Sequence, residues 1–135
     1  MPAGYSKRTL TEKLGIKEHT KIIFLNAPSG YTRILELPKD IILTKNLSGP
    51  LDFIQFFAQE KKELETSIGD LKQELSRKGT LWISWPKRSS KIETDLSESS
   101  VREIGLKSGL VDIKVCAVDE TWSGLKFVYR KKDRG

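Results

Sequence analysis

Lys21-Ile22-Ile23-Phe24-Leu25 is a near-continuous apolar run, and Asn26-Ala27-Pro28-Ser29-Gly30 directly behind it has the composition of a loop. An uninterrupted apolar run of this length is what a strand buried on both faces requires, because covering helices leave no solvent side for an alternating pattern. Outward from it, helices and strands alternate. Upstream, Thr9-Leu10-Thr11-Glu12 has the spacing of a capping box, with Leu10 and Leu14 on one helical face and Gly15 as a stop, which predicts a short leading helix. Downstream, a helix is expected from about Tyr31 to Glu36, a second short strand at Ile41-Ile42-Leu43-Thr44, and a third from Phe53 to Phe57. Leu64, Ile68, Leu71 and Leu75 share one helical face and predict a helix over about 59–76, with Gly79 just past its end. Thr80 to Trp85, closed by Pro86, reads as a fourth strand, and Asp95 with Glu98 as a capping box for a helix near 96–108. Ile113 to Val118 and Leu125 to Tyr129 are the fifth and sixth strands, joined by a loop short enough for an antiparallel hairpin.

Strands alternating with helices imply one α/β domain over residues 1–135, with a mostly parallel sheet of about six strands and the last hairpin adding an antiparallel strand at an edge. Only about six residues separate the second and third strands, fewer than a parallel crossover normally takes. Either that crossover is cut down to an irregular segment or the second strand lies elsewhere.

Composition narrows the class. With 37% apolar and 31% charged residues the chain is neither disordered nor membrane-bound in character. No apolar run reaches the roughly 18 residues that cross a bilayer, and Met1 to Arg8 lacks the apolar core of a secretory leader. A lone cysteine, Cys116, forms no internal disulfide and fits a reducing compartment, so a cytoplasmic location is expected. The net charge of +6 divides between the two ends: residues 1–21 and 130–135 each carry +3, and the 15 basic and 15 acidic residues between them cancel. Such ends attract phosphates weakly and without reading sequence, so nucleic-acid association is expected to be weak or absent.

The order helix, strand, helix, strand, strand, helix, strand, helix, hairpin resembles a shortened class I methyltransferase-like Rossmann fold. Leu14-Gly15-Ile16 before the first strand and Gly109-Leu110-Val111 entering the fifth look like that family's punctuation. The resemblance implies three layers and an S-adenosylmethionine site behind the first strand. A nucleotide cofactor there needs a glycine-rich turn for close backbone approach and an acidic residue ending the second strand for the ribose hydroxyls. Asn26 to Gly30 supplies one glycine and a proline, and Thr44-Lys45-Asn46 puts a lysine where the carboxylate belongs, so no cofactor is expected. A closer resemblance, almost end to end, is to a family of short bacterial proteins of unknown function. It rests on Phe24 to Pro28, Gly49 to Asp52, Leu81 to Lys87 and above all Val115-Cys116-Ala117-Val118-Asp119-Glu120-Thr121-Trp122-Ser123-Gly124-Leu125-Lys126. It implies one compact domain and no particular chemistry.

Ligands of open parallel sheets bind beyond the carboxyl ends of the strands. Three loops are expected there: Asn26 to Gly30, Trp85 to Ser90, and Asp119 to Gly124. They supply Asn26, Gly30, Trp85, Lys87, Arg88, Ser89, Ser90, Asp119, Glu120 and Trp122 as candidate ligand-binding residues. Lys87 and Arg88 are cationic donors beside the hydroxyls of Ser89 and Ser90, a set suited to an anion; the plainer alternative is an exposed polar loop with Trp85 packed over the sheet. Asp119 and Glu120 act as acid and base only if their environments drive their pKa values apart, and otherwise serve the turn. Cys116, flanked by Val115 and Ala117, reads as a small buried hydrophobe, His19 falls at the opposite sheet edge, and one His with one Cys makes no metal site. The sequence therefore assigns no catalytic residue. It favours a non-catalytic binding or interaction module that takes a small anionic ligand or a protein partner. The alternatives are an atypical methyltransferase or small transferase, and weak nucleic-acid association.

Overall fold

The computed structural model describes residues 9–134; Lys7 and Arg8, counted in the amino-terminal charge, lie outside the described residues. The leading helix α1 (Leu10–Leu14) forms as its capping box dictates, with Thr9 as N-cap, Glu12 reciprocating, and Gly15 closing it at φ 80°. β1 (Lys21–Leu25) leads through 26–30 into α2 (Tyr31–Ile34), one turn that stops two residues before the predicted Glu36. Then come β2 (Ile42–Leu43), β3 (Leu51–Phe57), α3 (Lys61–Glu74), β4 (Leu75–Pro86), α4 (Glu98–Lys107), β5 (Leu110–Ala117) and β6 (Trp122–Tyr129). No helix among the described residues is long and apolar enough to cross a membrane.

The sheet runs β2-β1-β3-β4-β6-β5, with β2, β1, β3 and β4 mutually parallel and β6 antiparallel to both its neighbours. The antiparallel strand therefore does not sit at an edge, as the hairpin led us to expect. It is driven between β4 and β5, where Leu125 and Phe127 are fully covered by α3 and α4, and the more polar β5 takes the edge.

Two layers of helix cover the sheet unequally. Ile23, Ile54, Phe56, Leu81, Ile83, Leu125 and Phe127 meet α3 and α4 through Leu64, Leu71, Val101 and Ile104. The other face carries Ile22, Phe53, Phe57 and Trp82 beneath the much smaller α1 and α2. Trp82 is buried there, and its indole N–H donates to the Leu14 carbonyl at 2.8 Å, locking α1 down.

Other boundaries moved for local reasons. β4 begins at Leu75, paired with Leu51, so Gly79 is a strand residue and not a helix stop; a side chain there would meet the Leu51 carbonyl oxygen at 2.9 Å. The α4 N-cap is Ser97, boxed with Ser100, and not Asp95 with Glu98. The short β2–β3 link is an abbreviated, irregular crossover. β2 pairs only with the first two residues of β1, Lys21↔Ile42 and Ile22↔Leu43, so the chain leaves it near the bottom of the sheet and has little distance to recover before β3.

Candidate functional site at the carboxyl rim

The parallel strands β1, β3 and β4 all end at one rim, and the β5–β6 turn closes at the same rim. Leu25 is level with Phe56, Phe57 with Ser84, and Pro86 with Trp122. The loops are tied to one another. The Asn26 amide lies 3.4 Å from both the Phe57 carbonyl oxygen and the Glu63 carboxylate, and Glu63 also accepts from the Gln59 N–H at 3.1 Å. Lys87 N–H donates to the Thr121 carbonyl at 2.7 Å, which pins the β4 exit to the hairpin turn.

Between the β3 and β4 exits lies an open cleft of about 980 Å³, walled by Gln59 and Glu60 on one side and by Lys87, Arg88 and residues 92–97 on the other. Two bonds span it. Asp95 Oδ1 accepts from the Lys61 N–H at 2.7 Å, capping the first amide of α3 from a distant loop, and Thr94 Oγ1 donates to the Gln59 carbonyl. Because Glu60, the α3 N-cap, makes no side-chain cap of its own, Asp95 supplies what the helix end lacks. The lining carries both signs of charge: Lys87 and Arg88 together with Glu60, Glu93 and Asp95.

Of the residues picked from sequence, Lys87 and Arg88 line this cleft. Asn26 and Gly30 belong to the neighbouring β1 loop. Asn26 adopts φ 58°, and Gly30 at φ 79° leaves open space where a side chain would stand, so its value there is its backbone conformation. Ser90 Oγ donates to the Lys87 carbonyl at 2.8 Å and closes the turn, leaving Ser89 exposed. Asp119 Oδ1 accepts from the N–H groups of Thr121 and Trp122 at 2.8 and 2.7 Å, a turn role, with Glu120 exposed at the tip. The two tryptophans among the ligand-binding candidates are core residues. Trp85 is 5% exposed in the core under α3 and α4, and Trp122 is 8% exposed in the opposite core, edge-on to Phe57 with ring centroids 5.1 Å apart.

Gln59, Glu60, Thr94 and Asp95 were missed. The carboxyl-end rule that selected the loops behind β1 and β4 applies equally to the loop behind β3 and would have found the first two. Cys116 is half-buried on β5, and burial holds its thiol above the ordinary range. His19 lies before β1, away from the rim, beside Glu18 and Asp40 at 3.6 Å. Among the described residues no group of acidic, histidine and cysteine side chains is disposed to hold a metal.

Several solved structures share this fold. An S-adenosylmethionine-dependent methyltransferase from Aquifex aeolicus superposes with a TM-score of 0.61 at 15% identity, over 87% of this chain and 86% of that one. Magnesium protoporphyrin IX methyltransferase from Synechocystis PCC 6803 gives 0.59 at 10% identity, over 90% and 78%. The fibrillarin pre-rRNA processing protein of Methanococcus jannaschii gives 0.57 at 18% identity, over 84% and 68%. At such identities the likeness establishes a Rossmann-like, methyltransferase-type fold and nothing finer. No protein-family model matches the chain, and no curated protein does.

That fold family implies S-adenosylmethionine at the β1 switch point, and the residues present do not build its cradle. The β1 loop has one glycine, and that glycine is not needed for close approach. The segment that follows β2, Thr44-Lys45-Asn46, runs on beside β1, with the Thr44 N–H donating to the Ile22 carbonyl at 3.0 Å, and carries no carboxylate to accept from ribose hydroxyls.

Proposed function

We propose that this chain is a small-ligand binding module on a methyltransferase-type scaffold, with its working site in the cleft between the β3–α3 and β4–α4 loops. The ligand is a small polar molecule with at least one anionic group, received by Lys87 and Arg88, while Glu60 and Glu93 accept hydrogen bonds from its donor groups. The observation that supports this reading is a polar cleft of about 980 Å³ lined by Lys87 and Arg88 and braced by Asp95 and Thr94. A cleft whose walls are fixed before binding loses little ordering entropy when a ligand enters.

A second reading, an atypical S-adenosylmethionine-dependent methyltransferase, draws on the solved structures, and at the level of overall shape they favour it over a plain interaction module. It requires the cofactor to sit differently from its place in the family.

One set of measurements separates the two. Thermal-shift screening against S-adenosylmethionine, nucleotides, amino acids and phosphorylated metabolites is expected to give a ligand that raises Tm in the wild type and not in the Lys87→Ala/Arg88→Ala variant. A screen with no such ligand ends the first reading. Micromolar binding of S-adenosylmethionine by calorimetry, unaffected by that variant, establishes the second in its place.

A further inference from the structure

At the other end of the sheet a groove of about 340 Å³ lies where β4 begins and β6 ends, lined by Arg77, Lys78, Gly79, Ile113, Val128 and Arg134. Half of that lining is cationic, and no carboxylate contributes to it. The two arginines are held in place. Arg77 Nη1 donates to the Asp133 carbonyl at 2.7 Å, and its guanidinium lies 5.2 Å from the centre of the Tyr129 ring. Arg134 Nε donates to the Tyr129 carbonyl at 2.9 Å, at the end of a 3-10 turn (Lys131–Asp133) that brings Arg134 to the groove. Each bond uses one of the five N–H donors of an arginine and leaves the rest directed elsewhere. None of the three cations has an ion-pair partner among the described residues.

The apolar part of the groove has its own cause. β5 carries a register shift between Asp112 and Lys114, and the residue skipped is Ile113, which stands 54% exposed. A bulge re-aims a side chain, and here it sets a large aliphatic group beside three uncompensated cations. Two fixed guanidiniums with a lysine match a many-acceptor phosphate group better than a single carboxylate.

We propose that this groove binds a phosphate ester, with Arg77 and Arg134 gripping the phosphoryl oxygens, Lys78 adding a third donor, and Ile113 and Val128 contacting the carbon portion of the ligand. The site is independent of the carboxyl-rim cleft. Its ligand is either a free phosphorylated small molecule or one segment of a phosphodiester chain.

The test uses the full chain and two probes, adenosine monophosphate and a short oligothymidylate, followed by methyl shifts of Ile113 and Val128 in NMR titrations. At least one probe is expected to move those methyls, with affinity falling as salt rises. The Lys78→Met/Arg134→Met variant, altered only at exposed positions, is expected to bind about tenfold or more weakly with an unchanged Tm. The Lys87→Ala/Arg88→Ala variant is expected to bind as wild type, which keeps this site separate from the rim. Preferential binding of the mononucleotide identifies a small-molecule site. Preferential binding of the oligonucleotide, with a log–log salt slope of about −0.7 for the one phosphate the groove neutralises, identifies a phosphodiester site. Unmoved methyls with both probes, or equal binding by the Lys78→Met/Arg134→Met variant, overturn the proposal.

Discussion

The Tyr31 hydroxyl donates to Gln55 Oε1 at 2.8 Å, and the Gln55 amide in turn donates to Ser84 Oγ at 3.0 Å, all three residues buried. The first residue of α2 is thereby fastened to the middle of the sheet, directly behind the β1 loop. Tyr31→Phe leaves the Gln55 oxygen without its donor in a dry site, a loss of about 1–3 kcal/mol, to be read as a lower urea midpoint with unchanged m-value. The same phenol sets an alkaline limit. Burial, the largest influence, holds its pKa well above the ordinary value, so the folded state keeps a proton that the unfolded chain releases above about pH 10. Its contribution is complete below that pH and declines as pH rises further, and Tyr31→Phe is expected to flatten the alkaline fall in Tm.

The inner strands β1, β3 and β4 were legible because burial on both faces leaves a mark that nothing else in a small domain does. Ile22 and Ile23 point to opposite cores, as do Trp82 and Ile83, so no position in the run tolerates a polar side chain except where a partner is supplied, as at Gln55 and Ser84. The same fact explains why the tryptophans misled. At the end of a doubly covered strand Trp85 and Trp122 are core residues like their neighbours, and loop composition nearby carries no information about which way they turn. The place of β6 was not legible, since a short turn fixes which strands pair but not what lies on the far side. Charge was hidden in another way. Residues 22–129 cancel in sequence, yet in space Arg77 and Lys78 join Arg134, and Lys114 and Lys126 join Lys13 and Lys17.

Gly105 is where α4 touches β6. A methyl group there would overlap the ring of Phe127, itself fully buried. Gly105→Ala gains about 1 kcal/mol of helix propensity and loses about 3 kcal/mol to overpacking, so a net loss of about 2 kcal/mol is expected in chemical denaturation. A variant as stable as wild type would mean that α4 slides freely on the sheet.

Asp95 joins stability to the rim cleft. Asp95→Ala removes the acceptor for the first amide of α3 and one of the two bonds spanning the cleft. By analogy with N-cap deletions the loss is about 1 kcal/mol. Hydrogen exchange is expected to speed up at Lys61 and along residues 92–97 while the β3 and β4 amides keep their protection. Uniform acceleration across the sheet would instead make Asp95 a global fold determinant.

Lys126 is a cost the fold carries. It lies partly buried beside Gly15, and burial first, then Lys114 and Lys17, push its pKa below the ordinary lysine value. Lys13 and Lys114 act on the neighbouring Cys116 thiol as well, and no carboxylate pairs with any of these four lysines among the described residues. At neutral pH the amine is charged in both folded and unfolded chains, and only the folded chain is penalised. As pH climbs through the lowered folded pKa toward 10.5, the folded chain sheds the proton first and the penalty fades. Lys126→Met, which keeps the aliphatic stem, is therefore expected to melt about 1–3 °C above wild type at pH 7 in low salt. That advantage should shrink in 0.5 M salt, a concentration of about three times the physiological ionic strength, and again as pH approaches 10. An advantage that stayed constant across pH would assign the effect to packing and leave the lysine cluster without energetic consequence.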